Sequence, residues 1–281
     1  MRNPVSLRQQ LSESLRVKVK SRSLNWSVFF FLSLGLTVGW NLKAQAESPD
    51  TAPPELKNAI TQIDAAANNR NVEEVMQFYD TDFRNSDGLS HNSLQQALTQ
   101  FWKRYPQLNY RTELQNWERD DKGIIAETVT YITGAPANVG EMKLESTLRS
   151  RQRFENQKIV EQEILAERSK LTSGVNPPTV EVNLPEQVRI GQQYNFDAIV
   201  LEPLGNQLLL GTAMEEGVSI ERYTNPTDFE LELLPAGGIF KMGKAPLEEE
   251  QRWISAILIR GDGITMVTQR LQFVKSLSAE K

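Results

Sequence analysis

Cysteine is absent from this 281-residue chain, and histidine occurs once, at His91. The first absence excludes disulfides, thiolate zinc sites, cysteine nucleophiles and lipid attachment to a thiol. The second excludes a two-histidine metal site, and a lone histidine makes no catalytic triad without positioned partners. There is also no glycine-rich phosphate loop behind a strand, no nucleophile elbow and no solenoid repeat. No metal and no cofactor is expected. The longest apolar run, residues 28–40, is well short of the ~20 residues that span a bilayer as a helix.

Hydrophobic residues make up 39% and charged residues 24%, a balance that suits packed cores rather than wholesale disorder. Basic and acidic residues number 31 and 36, unevenly spread. Residues 1–46 hold seven bases (Arg2, Arg8, Arg16, Lys18, Lys20, Arg22, Lys43) and one acid, Glu13. The remainder carries 24 bases against 35 acids, a net charge of about −11. A surface of that sign repels nucleic acid, whose non-specific binding depends on basic charge, so no nucleic-acid partner is expected.

Residues 1–46 follow the order of a secretory signal: a basic stretch ending at Arg22, the apolar run 28–40, then Ala44 and Ala46 at the small-residue places before Glu47. Cleavage is expected after Ala46, with the rest exported to periplasm, lumen or exterior. The competing reading is an uncleaved anchor giving membrane association through residues 24–40, with Trp26 and Trp40 as interfacial aromatics.

Past a linker at 48–54, Leu56, Ala59, Ile60 and Ile63 recur at helical spacing behind Pro53-Pro54. Asn71 and Glu74 read as a capping box for a second helix. Ser90 caps a third, with Leu89 and Leu94 as a hydrophobic staple and Pro106 as its stop. The period then changes to two. Strands are expected at 108–118, 124–133, 141–154 and 158–167, with turns at 120–123 and 155–157.

Ala65-Ala66-Ala67-Asn68-Asn69-Arg70-Asn71-Val72-Glu73-Glu74-Val75-Met76-Gln77-Phe78-Tyr79-Asp80-Thr81-Asp82-Phe83, with Asp87-Gly88 before the third helix and the long hairpin strands after it, resembles the opening of the nuclear-transport-factor-2-like superfamily. That superfamily includes ketosteroid isomerases, polyketide cyclases and non-catalytic binding modules. The resemblance covers residues 54–168 and implies an α+β cone: three helices packed on a curved antiparallel sheet around a pocket. It also implies a possible homodimer formed through the sheet.

Residues 167–178, ending in Gly174 and Pro177-Pro178, read as a domain boundary. Beyond it, strand-like runs at 179–184, 194–201, 207–214, 218–223, 229–234, 252–259 and 264–273 suggest a second, all-β sandwich over 179–275. Residues 184–196 resemble the first strands of bacterial immunoglobulin-like domains.

Candidate ligand-binding residues are Tyr79, Trp102, Tyr105, Trp117, Glu127 and Tyr131, since ligand cavities are mainly apolar with a few polar groups. No catalytic residue is assigned. An isomerase needs an aspartate base and oxyanion donors, but the only aspartates in the first module's strand region, Asp120 and Asp121, lie in a turn. Glu127 and Tyr131 sit four apart on one strand and so share a face; the plainer reading is a solvated carboxylate beside a cross-strand aromatic. Asp80, Asp82, Arg84 and Asp87 lack the spacing of a calcium loop. Arg149, Arg151 and Arg153 have Glu161 and Glu163 as ready cross-strand partners. The expected function is non-catalytic: holding a small apolar ligand or a protein partner, with the sandwich as a docking module. The alternatives are an isomerase, cyclase or hydrolase with its site in the cone, and a membrane-anchored assembly factor.

Overall fold

The structure is a computed structural model that describes residues 46–135, 143–224, 228–261 and 263–277. The expected signal or anchor at 1–46 lies outside the described residues, apart from Ala46. Among the described residues, no helix is long and apolar enough to cross a membrane.

After a single 3-10 turn at Pro49–Thr51 come α1 (Pro54–Asn68), α2 (Val72–Gln77), β1 (Tyr79–Asn85) and α3 (His91–Arg104). Four long strands follow: β2 (Gln107–Arg119), β3 (Ile124–Ala135), β4 (Lys143–Glu155) and β5 (Lys158–Ser173). Next are β6 (Val180–Asn183), β7 (Gln187–Arg189), β8 (Gln193–Val200), β9 (Leu209–Gly217) and α4 (Ile220–Thr224). The chain closes with β10 (Glu232–Leu233), β11 (Gly238–Lys244), β12 (Glu250–Arg260) and β13 (Gly263–Val274).

The helix starts obey the expected chemistry. Proline opens α1, where its missing N–H costs nothing. The Asn71 side chain accepts from the Glu74 amide at the start of α2. Ser90 and Ser93 cap each other's backbone amides at the start of α3, satisfying groups that a helix end leaves bare.

The sheet overturns the expected fold class. Instead of a three-helix cone followed by a separate sandwich, the described residues are mostly β, with four helices and one ten-stranded sheet. Its path is β10-β9-β12-β13-β5-β4-β3-β2, with β1 added on β5 and β7 on β13. The physical reason lies in β5. Its alternation does not stop at Glu167: Ser169, Leu171 and Ser173 continue one face and Arg168, Lys170 and Thr172 the other. This extra length pairs with β13, from Ser173 opposite Ile264 to Arg168 opposite Gln269. Gly174, at φ 91°, is where the strand ends, because that left-handed backbone suits glycine.

Three local expectations also fail. The charged residues Asp80, Asp82 and Arg84, which the sequence places between the second and third helices, lie in a strand, β1, parallel to β5. The run 218–223, read as a strand, falls largely in α4. Residues 238–244, assigned to nothing, form β11, which pairs with β8 along its whole length.

Two layers cover opposite faces of the large sheet. On one, α1, α2 and α3 close a core of Leu56, Ile60, Met76, Phe83, Trp102 and Ile159. The three-stranded sheet β11-β8-β6 packs Phe196, Ala198 and Ile239 against Ile254, Leu258, Val267 and Leu271 on the other face, because residues 254, 258, 267 and 271 alternate with those of the helix-side face. The β2 edge is protected by α1: Asn68 exchanges two hydrogen bonds with the Tyr110 backbone, and Asp64 accepts from the Thr112 amide at 2.6 Å. Bare strand edges invite foreign strands; this one is occupied. Farther along the same strand, Glu47 bridges Trp117.

Candidate functional site

On the helix-side face, between α3, α4 and the sheet, lies a groove of about 430 Å³. Cross-strand register shows how its floor is built. One row of directly opposed residues runs Ile132–Ser146–Ser169–Thr268–Ser255–Met214 across β3, β4, β5, β13, β12 and β9. Four successive members are small hydroxyl residues. The rows on either side are larger: Leu148, Glu167 and Trp253 on one, Leu144 and Met266 on the other. Small residues between large ones leave a trough running across the strands. Its walls are Leu94, Leu98, Phe101 and Tyr105 of α3, with Tyr223 of α4 and Phe229 beyond it. The hydroxyls satisfy one another in pairs, Ser146 with Ser169 at 2.8 Å and Ser255 with Thr268 at 2.9 Å, so the floor makes little demand on an apolar occupant.

A buried charge cluster closes one side of the groove. The Arg270 side chain is 0% exposed and Asp87 2%. Arg270 donates to both Asp87 carboxylate oxygens, Nη1 to Oδ1 at 2.9 Å and Nη2 to Oδ2 at 2.8 Å. It also donates to Glu167 Oε2 at 2.9 Å and Gln251 Oε1 at 2.6 Å. Trp253 Nε1 donates to the same Glu167 oxygen at 2.9 Å. The Tyr223 hydroxyl donates to Asp87, and its ring meets Trp253 edge-on at 5.1 Å. Burial works against the Arg270 charge, but Asp87 and Glu167 outweigh it and raise its pKa. Tyr223 is pushed far up by burial first and the two carboxylates second, so its phenol stays protonated. With Arg270 occupied by these acceptors and both carboxylates engaged, the cluster acts chemically as a fastening between β1–α3, β5, α4 and β12–β13.

Of the six sequence-derived candidates, only Tyr105 lines this groove. Tyr79 is buried edge-on against Phe83 at 4.9 Å; burial raises its pKa to about 12. Trp102 is buried and donates to the Tyr110 hydroxyl at 2.7 Å. Trp117 is buried and donates to the Ser48 carbonyl and the Thr51 hydroxyl. Glu127 and Tyr131 do share a face, but it is the opposite one, since their neighbour Ile132 is the groove residue. There Glu127 accepts from Arg151 at 2.6 Å and Asn116 at 3.0 Å, while the Arg111 guanidinium lies 4.3 Å over the Tyr131 ring. Burial would raise the Glu127 pKa, yet Asn116 and Arg151 together hold it below the ordinary value. Arg151 also meets Glu163 at 3.0 Å and Arg153 meets Glu161 at 3.6 Å. His91 opens α3, its ring 3.4 Å from the Met76 carbonyl.

Sequence reasoning missed Asp87, Glu167, Tyr223 and Arg270. Arg270 is the one charged residue of β13, and a charge in a core-forming strand needs a partner; that was the available signal.

A family model described as "Domain of unknown function (DUF8623)" matches residues 175–274. No curated protein matches the chain. Among solved structures, Bdellovibrio bacteriovorus Bd1075 is similar at 14% identity and TM-score 0.31 over 39% of this chain, which spans 38% of that one. An LEH-like epoxide hydrolase from M. tuberculosis is similar at 10% identity and TM-score 0.29, over 39% of this chain and 80% of that one. A protein of unknown function with a cystatin-like fold, from Nostoc punctiforme, shows 11% identity and TM-score 0.30 over 39% and 86%.

Proposed function

We propose that this chain is an exported, non-catalytic binding protein that holds an apolar molecule in the groove between α3, α4 and the sheet. The observation carrying this reading is the groove itself: about 430 Å³, apolar walls, and a floor of hydroxyls that satisfy one another. Ligand sites are typically of that size and character. The buried carboxylates at its border, Asp87 and Glu167, support binding over catalysis, because both are engaged with Arg270. Export rests on the order of basic, apolar and small residues in 1–46. Kinship of residues 54–168 to the nuclear-transport-factor-2-like superfamily belongs to the same proposal and rests on residues 65–83.

Native mass spectrometry of the protein purified from its own exported fraction tests the reading. The expected result is a mass excess that extraction with organic solvent removes. A clean apo mass accompanied by a bound protein would overturn it in favour of a protein-docking role.

A further inference from the structure

The groove crosses several strands, and its border is not electrically uniform. The small floor residues span β4, β5, β13 and β12, three inter-strand intervals, or about 14 Å at ~4.8 Å each. That is close to the depth of one leaflet in a ~30 Å hydrocarbon core. A compact ring system would leave much of such a trough empty, whereas an extended alkyl chain fills it.

The two ends of α3 differ. Near its start, the acids Asp87 and Glu167 are both paired with Arg270. At its end stands Arg104, which lines the groove and is exposed. The Arg104 side chain makes no hydrogen bond or ion pair among the described residues, in contrast to Arg222, which also lines the groove and meets Glu216 at 3.4 Å. Arg104 lies three residues before Gln107, where β2 begins, so it belongs to the β2–β3 end of the trough. A lone guanidinium at the mouth of an apolar channel is complementary to a single anionic head on an apolar tail.

From this geometry we infer that the ligand is a long-chain carboxylate, its head on Arg104 and its chain lying across the strands over Ser146, Ser169, Thr268 and Ser255. The inference rests on the groove being the binding site, as proposed above, and adds the ligand's chemistry and direction. At the far end, Phe229 lines the groove and Leu233, paired opposite Leu210, is 58% exposed. The apolar path therefore continues outward, which suits chains longer than the trough.

The test titrates the full exported protein, stripped of bound lipid, with a fluorescent long-chain carboxylate and with its methyl ester. Wild type is expected to bind the acid about tenfold more tightly than the ester, the scale of one charge-assisted contact. Arg104→Gln should abolish that preference by bringing the affinity for the acid down to that for the ester. Ser169→Phe, which fills the trough, should reduce binding of both. Equal affinity for acid and ester in wild type, or an acid preference that survives Arg104→Gln, would overturn the carboxylate inference while leaving the groove standing. Binding of both probes undiminished by Ser169→Phe, or binding of neither, would overturn the groove reading itself.

Discussion

Arg270 and Asp87 stand 183 positions apart in the chain and meet through two parallel hydrogen bonds. Asp87 comes from the turn between β1 and α3, Arg270 from the last strand. The pair therefore joins the helical end of the molecule to its carboxy-terminal strands at a place where water has almost no access.

Removing one member of such a pair leaves the other charged and unsolvated. Arg270→Met is expected to cost about 3–5 kcal/mol of stability, measured by denaturant unfolding. The double variant Arg270→Met, Asp87→Leu should recover part of that loss, because no lone charge then remains buried. A loss under about 1 kcal/mol for the single variant would mean that the pair behaves like a surface contact.

Alkaline titration provides a second check. Tyr79, Tyr110 and Tyr194 are raised from 10.0 to about 12, mainly by burial, and Tyr223 further still. A phenol whose folded pKa is raised contributes stability that is complete below the unfolded value and lost as pH rises toward the folded one. Stability should thus fall as pH climbs through about 10 to 12, and phenolate absorbance of these four should appear together with unfolding. Smooth ionisation of all six tyrosines near pH 10 in the folded protein would contradict their burial.

The acid limb has the opposite sign. Glu127 is held below its ordinary 4.5, so its contribution is present above that value and disappears as pH falls through the lower folded one. Arg151→Gln removes a cation held at 2.6 Å and should flatten the loss of stability below about pH 4.5, because the contribution it removes is one present at neutral pH and already gone in acid. An unchanged acid profile would show that the pairing is fully screened.

A fragment of residues 175–277 should fold poorly alone. Its β13 would lose the six pairings with β5, and Arg270 would lose both carboxylate partners. Circular dichroism and size exclusion should report an associating, incompletely packed species. A stable monomer with a cooperative melt would show that the β5 pairing is dispensable.

The helix boundaries were legible because caps are local: Pro54, Asn71, Ser90 and Pro106 act within a turn of themselves. Strand existence was legible from period two. What was hidden was partnership. Nothing near Ser169 or Leu171 says that their neighbours lie almost a hundred residues later in β13, and β1 was masked by its charge because Asp80 and Asp82 face solvent on an added strand. The groove was hidden for the same reason. Its floor joins residues 132, 146, 169, 214, 255 and 268, which only register brings together, while the aromatics that stood out in sequence are mostly core.

The reach of β5 also sets an order of events during synthesis. Its 16 residues extend about 50 Å, and the six beyond Glu167 have no partner on the β13 side until β13 arrives. Throughout that interval the nascent chain displays a sticky template, receptive to any passing strand as well as to its own. Foreign annealing there would seed aggregation, so the yield of correctly assembled molecules should depend on how quickly the last twelve-residue strand arrives, or on a chaperone that shields the vacancy until it does.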